Sequence, residues 1–291
     1  MSTDPGTLYH YCSTEAFVSM LKGRSFWLSS LKLSNDTMEG RLVTSTLMRF
    51  AERDCLDQSA ARRLRESIEL MERLFHGLGF CLSEDGDLLS QWRGYADDAR
   101  GVAVGFSHAY LNELAAQPRP DGSNRFAIAR VEYDEQQHEA GIEPNYRELR
   151  NLIDAGAFRF PGLRSLLDSR TPEEIAADDE AIGKAHRGLL MRILLLAPKL
   201  YQLKAPAFRE EREWRLVSIS TDSAEDDVSF RGNGARVIPF RSIELTQSEI
   251  APLSEVVLGP RHETPESTVQ AFLKSVGYGE VRVRRSAATY R

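Results

Sequence analysis

The sequence predicts an α+β domain with a helical insertion, and three observations carry that prediction. Strand-like segments dominate both ends of the chain, whereas helical periodicity fills its middle. Residues about 134–200 are rich in acid and carry Pro144, Pro161 and Pro172, so they read as helices and loops inserted into a single domain spanning residues 1–291. Strands and helices do not alternate regularly, which argues against a doubly wound sheet.

The elements follow in order. Thr7 to Cys12 reads as a strand, Ser13 or Thr14 as the cap of a helix holding Phe17, Met20 and Leu21 at helical spacing, and Gly23 as its end. Ser25 to Ser30 alternates as a half-buried strand does, and a turn follows at Ser34, Asn35 and Asp36. Thr37 to Phe75 is read as scaffold, two helices broken near Asp54 to Gln58. Leu78 to Ser83 is the next strand, and Asp87 or Ser90 is expected to cap a short helix with Trp92 and Tyr95 on one face. Val102 to Phe106 is a strand, His108 to Ala116 a helix, Gln117 to Asn124 a loop and Phe126 to Tyr133 a strand. The proline-marked insertion reads as broken helices, its charge run Glu173 to Glu180 as a solvated face, and Lys184 to Leu203 as an apolar helix stopped or kinked at Pro198. Gly232-Asn233-Gly234 reads as a hairpin turn before a strand at Ala235 to Phe240. Ser254 to Gly259 is a buried strand, Pro265 to Val276 a helix with proline at its first position, and Val281 to Arg285 the last strand.

Composition excludes several classes. With 291 residues, 42% hydrophobic and 27% charged, core size is no limitation. A net charge of -6 argues against broad neutralisation of duplex phosphates, although a local basic groove is compatible with it. Cys12, Cys55 and Cys81 are too few and too scattered for a disulfide framework or a zinc site, so a cytoplasmic protein is expected. The longest apolar run, Leu189 to Pro198, is interrupted by Arg192 and too short to span a bilayer, so no membrane partner is expected. Phosphate-loop, dinucleotide-fold and serine-elbow motifs are absent, and the basic end Arg282, Arg284, Arg285 and Arg291 reads as a charged edge or tail.

The densest chemistry lies between Lys204 and Val217. If Glu211 to Ser220 is one strand, Glu211, Glu213 and Arg215 share a face while Trp214 and Leu216 enter the core. The ordinary reading of such a face is a solvated edge. His10 ends the first strand, where a hydrogen-bonded core histidine is the ordinary reading, and Ser29 and Ser83 end two others. Tyr11, Trp27, Trp92 and Tyr95 offer flat surfaces for a ligand, with core packing the default for each. A metal-dependent nuclease would need convergent carboxylates, for which Asp36, Glu39, Glu211 and Glu213 are the set. Glu84, Asp85 and Asp87 read as a turn.

The motifs Leu-Tyr-His-Tyr-Cys-Ser (8–13), Phe-Trp-Leu-Ser-Ser (26–30), Ser-Asn-Asp-Thr-Met-Glu (34–39), Phe-Cys-Leu-Ser-Glu (80–84), Gln-Trp-Arg-Gly-Tyr-Ala (91–96), Gly-Val-Ala-Val-Gly-Phe (101–106) and Glu-Arg-Glu-Trp-Arg (211–215) occur in this order. In that order they resemble the bacterial family catalogued as domain of unknown function 2971. More remotely, the opening strand, helix and strand with Tyr-His-Tyr resemble ADP-ribosyltransferase folds of the DarT and poly-ADP-ribose polymerase types. That likeness implies an ADP-ribosyltransferase-like split β-sheet core, NAD as substrate, His10 as ligand of the nicotinamide ribose, and Glu213 as the late catalytic glutamate. It also implies Glu211 as the first member of a Glu-x-Glu pair, with Tyr11, Ser29, Ser83, Trp92, Tyr95 and Arg215 lining the dinucleotide. Ser83 and Trp92 stand where the middle residue of the triad falls.

The implied activity is ADP-ribosyl transfer or NAD hydrolysis, as in a toxin or anti-phage effector, with a protein or nucleic-acid acceptor and an inhibitory partner protein. The nuclease and a non-enzymatic binding module, its charges tied up in salt bridges, are the alternatives.

Overall fold

The computed structural model describes residues 5–33, 41–118, 126–160, 169–221, 228–246 and 249–290. Asn35, Asp36, Glu39, Pro161 and most of the 117–124 loop lie outside the described residues. The chain begins with β1 (Thr7–Cys12), α1 (Thr14–Gly23), β2 (Ser25–Ser30), α2 (Arg41–Arg53), α3 (Gln58–Leu74), β3 (Phe75–Ser83) and α4 (Leu89–Tyr95). It continues with β4 (Val102–Ser107), α5 (His108–Ala115), β5 (Ala127–Arg130), α6 (Glu135–Asp154) and α7 (Pro172–Leu194). β6 (Glu213–Thr221), β7 (Ser229–Asn233), β8 (Arg236–Glu244), β9 (Leu253–Leu258), α8 (Glu266–Ser275) and β10 (Arg282–Arg285) complete it.

Two compact units emerge. One comprises Met1–Ser34, Gly77–Val131 and Ala207–Arg291; the other comprises Asn35–His76 and Glu132–Pro206. The second unit therefore holds the insertion expected at 134–200 together with the helical pair read as scaffold. In it α2, α3, α6 and α7 pack around Leu47, Phe50, Leu64, Ile68, Ile142, Tyr146, Leu149 and Leu189, all buried. The Tyr146 hydroxyl donates to the Phe50 carbonyl at 3.0 Å.

The first unit is built on a mixed sheet, ten-stranded among the described residues. Its order is β10-β9-β4-β1-β3-β2-β8-β7, with β6 pairing β3 and β5. The ladders β1/β4, β4/β9, β2/β8, β7/β8 and β5/β6 are antiparallel, and β9/β10 is parallel. Strand alternation sorts side chains onto two faces. On one, Leu8, Phe26, Leu28, Phe80, Leu82, Val104, Phe106 and Leu216 form the main core, with Trp214 packed against it. On the other, Tyr11 joins Trp92, Ala96, Ala99, Ala103 and Val257 in a smaller cluster.

Several local expectations change. The left-handed residue closing α1 is Arg24 (φ 45°), one place beyond Gly23. Neither Asp87 nor Ser90 caps α4; Leu88 holds the cap position without a side-chain bond. Pro144 lies inside α6, where burial of Ile142, Tyr146 and Leu149 on both sides outweighs its lost backbone bond, a cost of about 3 kcal/mol. Pro172 begins α7 within a complete capping box of Thr171 and Glu174, so it starts a helix instead of breaking one. The apolar helix ends at Leu194, and Ala197–Tyr201 continues as a 3-10 turn. Pro265 is the cap of α8 and not its first residue. The hairpin turn falls at Gly234-Ala235, one step later than expected, because Asn233 pairs with Arg236 and Gly234 supplies the positive φ of 57°.

Candidate functional site

The expectation that Glu211, Glu213 and Arg215 alternate along one strand is corrected by the backbone. Pro206–Glu211 is a 3-10 turn, Arg212 is left-handed (φ 43°), and β6 begins only at Glu213. A non-glycine residue in that conformation costs on the order of 1–2 kcal/mol and is stable only where its surroundings fix it. Here they do: the Glu84 N–H donates to the Arg212 carbonyl at 3.2 Å, and the Ser83 hydroxyl donates to the Glu211 carbonyl at 2.8 Å. Glu211 thus arrives at the mouth of β6 on a turn, half-buried, and accepts a long 3.4 Å bond from the exposed Tyr95 hydroxyl.

Behind it, Glu213 and Arg215 form a bidentate pair. Arg215 Nε donates to Glu213 Oε1 at 2.7 Å and a terminal nitrogen to Oε2 at 3.0 Å, with side chains 2% and 7% exposed. Each charge offsets the desolvation of the other.

Tyr11, Ser83, Trp92, Tyr95 and Glu211 are brought together on the side of the sheet opposite the main core. Tyr11 meets Trp92 edge to face at 4.8 Å, donates its hydroxyl to the Asp85 carbonyl at 2.8 Å and accepts from the Leu88 N–H at 2.9 Å. Burial pushes the Tyr11 phenol up, beyond any range in which it would ionise. Trp92 is fully enclosed, and its indole N–H donates to Asp87 at 2.8 Å, so it braces Tyr11 and presents no face to a ligand. Tyr95, 41% exposed on the same helix, is the aromatic that does.

Asp87, which the sequence offered as a turn residue and as a cap for the short helix, instead anchors this region. Burial alone would raise its pKa; donors from Ser286, Trp92 and the Ala287 N–H, with the charge on Arg284, hold it below the usual carboxylate range. Its distance of 199 residues from Ser286 explains why no local pattern announced it.

His10 and Ser29 stand apart. His10 stacks on Phe80 at 4.1 Å, on the main-core face, whereas Glu213 and Arg215 alternate away from Trp214 and Leu216 on that face. The pairing of β1 with β3 is registered at Tyr9 and Ser83, and just beyond it His10 Nδ1 lies 2.9 Å from the Cys81 carbonyl. A carbonyl only accepts, so Nδ1 carries the proton and Nε2 keeps its lone pair. Burial lowers the imidazole pKa to about 4, which leaves the ring neutral at pH 7. Ser29 accepts from Arg231 at 3.2 Å, toward the far edge of the sheet.

For the nuclease alternative, Asp36 and Glu39 lie outside the described residues. No group of three or more His, Cys, Asp or Glu side chains among the described residues is placed to hold a metal. No helix among them is long and apolar enough to cross a membrane.

Fold and site together define a mixed α/β protein with a large open sheet and a buried carboxylate–guanidinium pair at the start of a strand in it. Residues 91–216 match the model of a family described as protein of unknown function (DUF2971), which supports the resemblance drawn from the motifs. The match takes in Trp92, Tyr95, Glu211, Glu213 and Arg215. No curated protein and no solved structure matches the chain.

Proposed function

We propose that this protein is an NAD-dependent ADP-ribosyltransferase or NAD glycohydrolase acting at the Glu211–Glu213 end of β6. The observation that supports the reading best is the Glu213–Arg215 pair, a carboxylate immobilised at both oxygens on a rigid strand, with a second, half-exposed carboxylate two residues before it. Cleaving the nicotinamide glycosidic bond sends the bonding electrons out with nicotinamide and builds positive charge at the anomeric carbon. A carboxylate that need not reorganise stabilises that charge by several kcal/mol. In this reading Glu213 accepts from the ribose hydroxyls, and Glu211 takes the proton of the attacking acceptor or water. Tyr95 supplies the exposed ring for the nicotinamide. Ser83 is a positioning residue, since its hydroxyl holds the Glu211 carbonyl.

The test is calorimetric titration with NAD together with chromatographic assay of released nicotinamide. Wild type is compared with Glu211→Gln, Glu213→Gln and His10→Ala. Glu211→Gln, at a half-exposed position, is expected to fold normally and to lose nicotinamide release at least a hundredfold while still binding NAD. Absence of NAD binding by well-folded wild type, or full release by Glu211→Gln and Glu213→Gln, refutes the reading. A fall in thermal stability in Glu213→Gln with no NAD binding by any form would favour the non-enzymatic module, in which the pair only braces the strand. Loss of binding in His10→Ala would extend the ligand to the Phe80 face.

A further inference from the structure

We propose that the sheet face carried by β2, β8 and β7 is a binding surface for single-stranded nucleic acid. Trp27 stacks on Phe240 at 4.4 Å yet leaves 42% of its own surface exposed. Arg231 reaches across from β7, its guanidinium carbon 5.6 Å from the Trp27 ring and a terminal nitrogen donating to Ser29 at 3.2 Å. Its Nε is buried with no hydrogen-bond partner. Arg236 shares the face, being on the same alternation of β8 as Phe240, and donates to the Leu33 carbonyl at 3.2 Å. Arg231 pairs with Ile238 and Asn233 with Arg236 across the hairpin, so the two arginines are diagonal neighbours, roughly 7–8 Å apart at the backbone.

Neither guanidinium meets a carboxylate among the described residues. Most other arginines near the sheet do: Arg130 with Glu84, Arg215 with Glu213, Arg261 with Asp98, Arg284 with Glu255. Among the described residues the first carboxylate on this face is Glu244, at the far end of β8 opposite Ser25. Two positive charges that meet no carboxylate among the described residues, on the same face as an exposed indole and to one side of it along β8, call for a partner that is anionic and flat. A nucleic-acid strand supplies both, phosphates for Arg231 and Arg236 and an unstacked base for Trp27. The ligand is a strand because the platform is a sheet surface: a free nucleotide takes most of its affinity from a concave site, and a duplex keeps its bases inside. The chain's net charge of -6 fits this too, since a short strand needs only a local basic strip.

This surface is read by binding alone and does not depend on the transferase reading. The experiment is fluorescence anisotropy with a labelled twelve-nucleotide single strand of DNA and of RNA, repeated at several salt concentrations, with quenching of tryptophan emission as a second readout. Trp92 is fully buried and Trp214 is packed against the core, so quenching reports on Trp27. Trp27→Ala is expected to weaken binding about tenfold or more and abolish the quench, and Trp27→Phe to recover part of the affinity. Arg231→Gln and Arg236→Gln should each flatten the salt dependence by about 0.7 in log–log slope. Arg236 is exposed, so that variant holds even if Arg231→Gln disturbs the hairpin. Failure of wild type to bind at low salt, unchanged affinity in Trp27→Ala and Arg236→Gln, or equal competition by a duplex, by AMP or by polyglutamate would each overturn the proposal.

Discussion

Glu213 and Arg215 give the sharpest prediction, because the structure specifies both the interaction and its isolation from water. Their side chains are 7% and 2% exposed and joined by bonds of 2.7 and 3.0 Å. Removing one member of so buried a pair leaves the other charge buried without its bidentate partner, at a cost of about 3–5 kcal/mol. At about 2–4 °C per kcal/mol, Glu213→Gln and Arg215→Met should each lower Tm by roughly 6–20 °C. Replacing both, as Glu213→Leu with Arg215→Met, removes the uncompensated charge along with the attraction. The double variant should therefore recover most of the loss, so that its cost falls well short of the sum of the two single effects. Scanning calorimetry and urea titration of the four proteins measure it. Additive single effects of under about 1 kcal/mol each would refute the argument that this pair is a closed, desolvated unit.

Other perturbations test the surroundings. His10 has its imidazole pKa lowered by burial from 6.5 to about 4, so the unfolded chain binds the extra proton between those values. Stability should then be unaffected above pH 6.5 and fall by up to about 3 kcal/mol as pH drops toward 4. Burial lowers His262 as well and adds in the same direction; denaturation curves of His10→Gln that keep the full wild-type pH dependence would rule out the His10 share. A Cβ at Gly101 would lie 2.1 Å from the Cys12 carbonyl, so Gly101→Ala should cost about 1–3 kcal/mol, and a Tm within 1 °C of wild type would contradict it. Ser83→Ala strips the donor from the Glu211 carbonyl and the acceptor from the Asp85 N–H, both in a buried setting, and should cost about 1–3 kcal/mol by urea titration. Tyr95→Phe removes the long, exposed bond to Glu211 and, at an exposed position, should leave stability within about 0.5 kcal/mol.

Much of the fold was legible because its signals are local. β1, the Ser13 cap, β2 and the break between α2 and α3 follow from alternation, capping chemistry and helical spacing over a few residues. Where long-range burial competes with a local rule, the rule fails. Pro144 reads as a breaker yet sits within a helix whose buried stripe runs past it, and the strand at β3 begins three residues earlier than its alternation suggests. Asp87 escaped notice for the same reason, since its partner Ser286 belongs to the other end of the chain.

The candidate site shows the same division at closer range. Residue type was enough to single out Glu211, Glu213 and Arg215, and periodicity was enough to set Trp214 and Leu216 against the core. What periodicity could not register is the left-handed Arg212, because nothing in Glu-Arg-Glu requires a positive φ. That conformation is imposed from outside, by Glu84 and Ser83 gripping the carbonyls of Arg212 and Glu211. Its consequence is chemical. On a continuous strand the two carboxylates would repeat one environment two residues apart; the kink gives them different ones, Glu213 enclosed with its guanidinium and Glu211 at the surface beside Tyr95. The two carboxylates are thereby held in unlike surroundings, and the division rests on a single strained residue that the neighbouring strand holds in place.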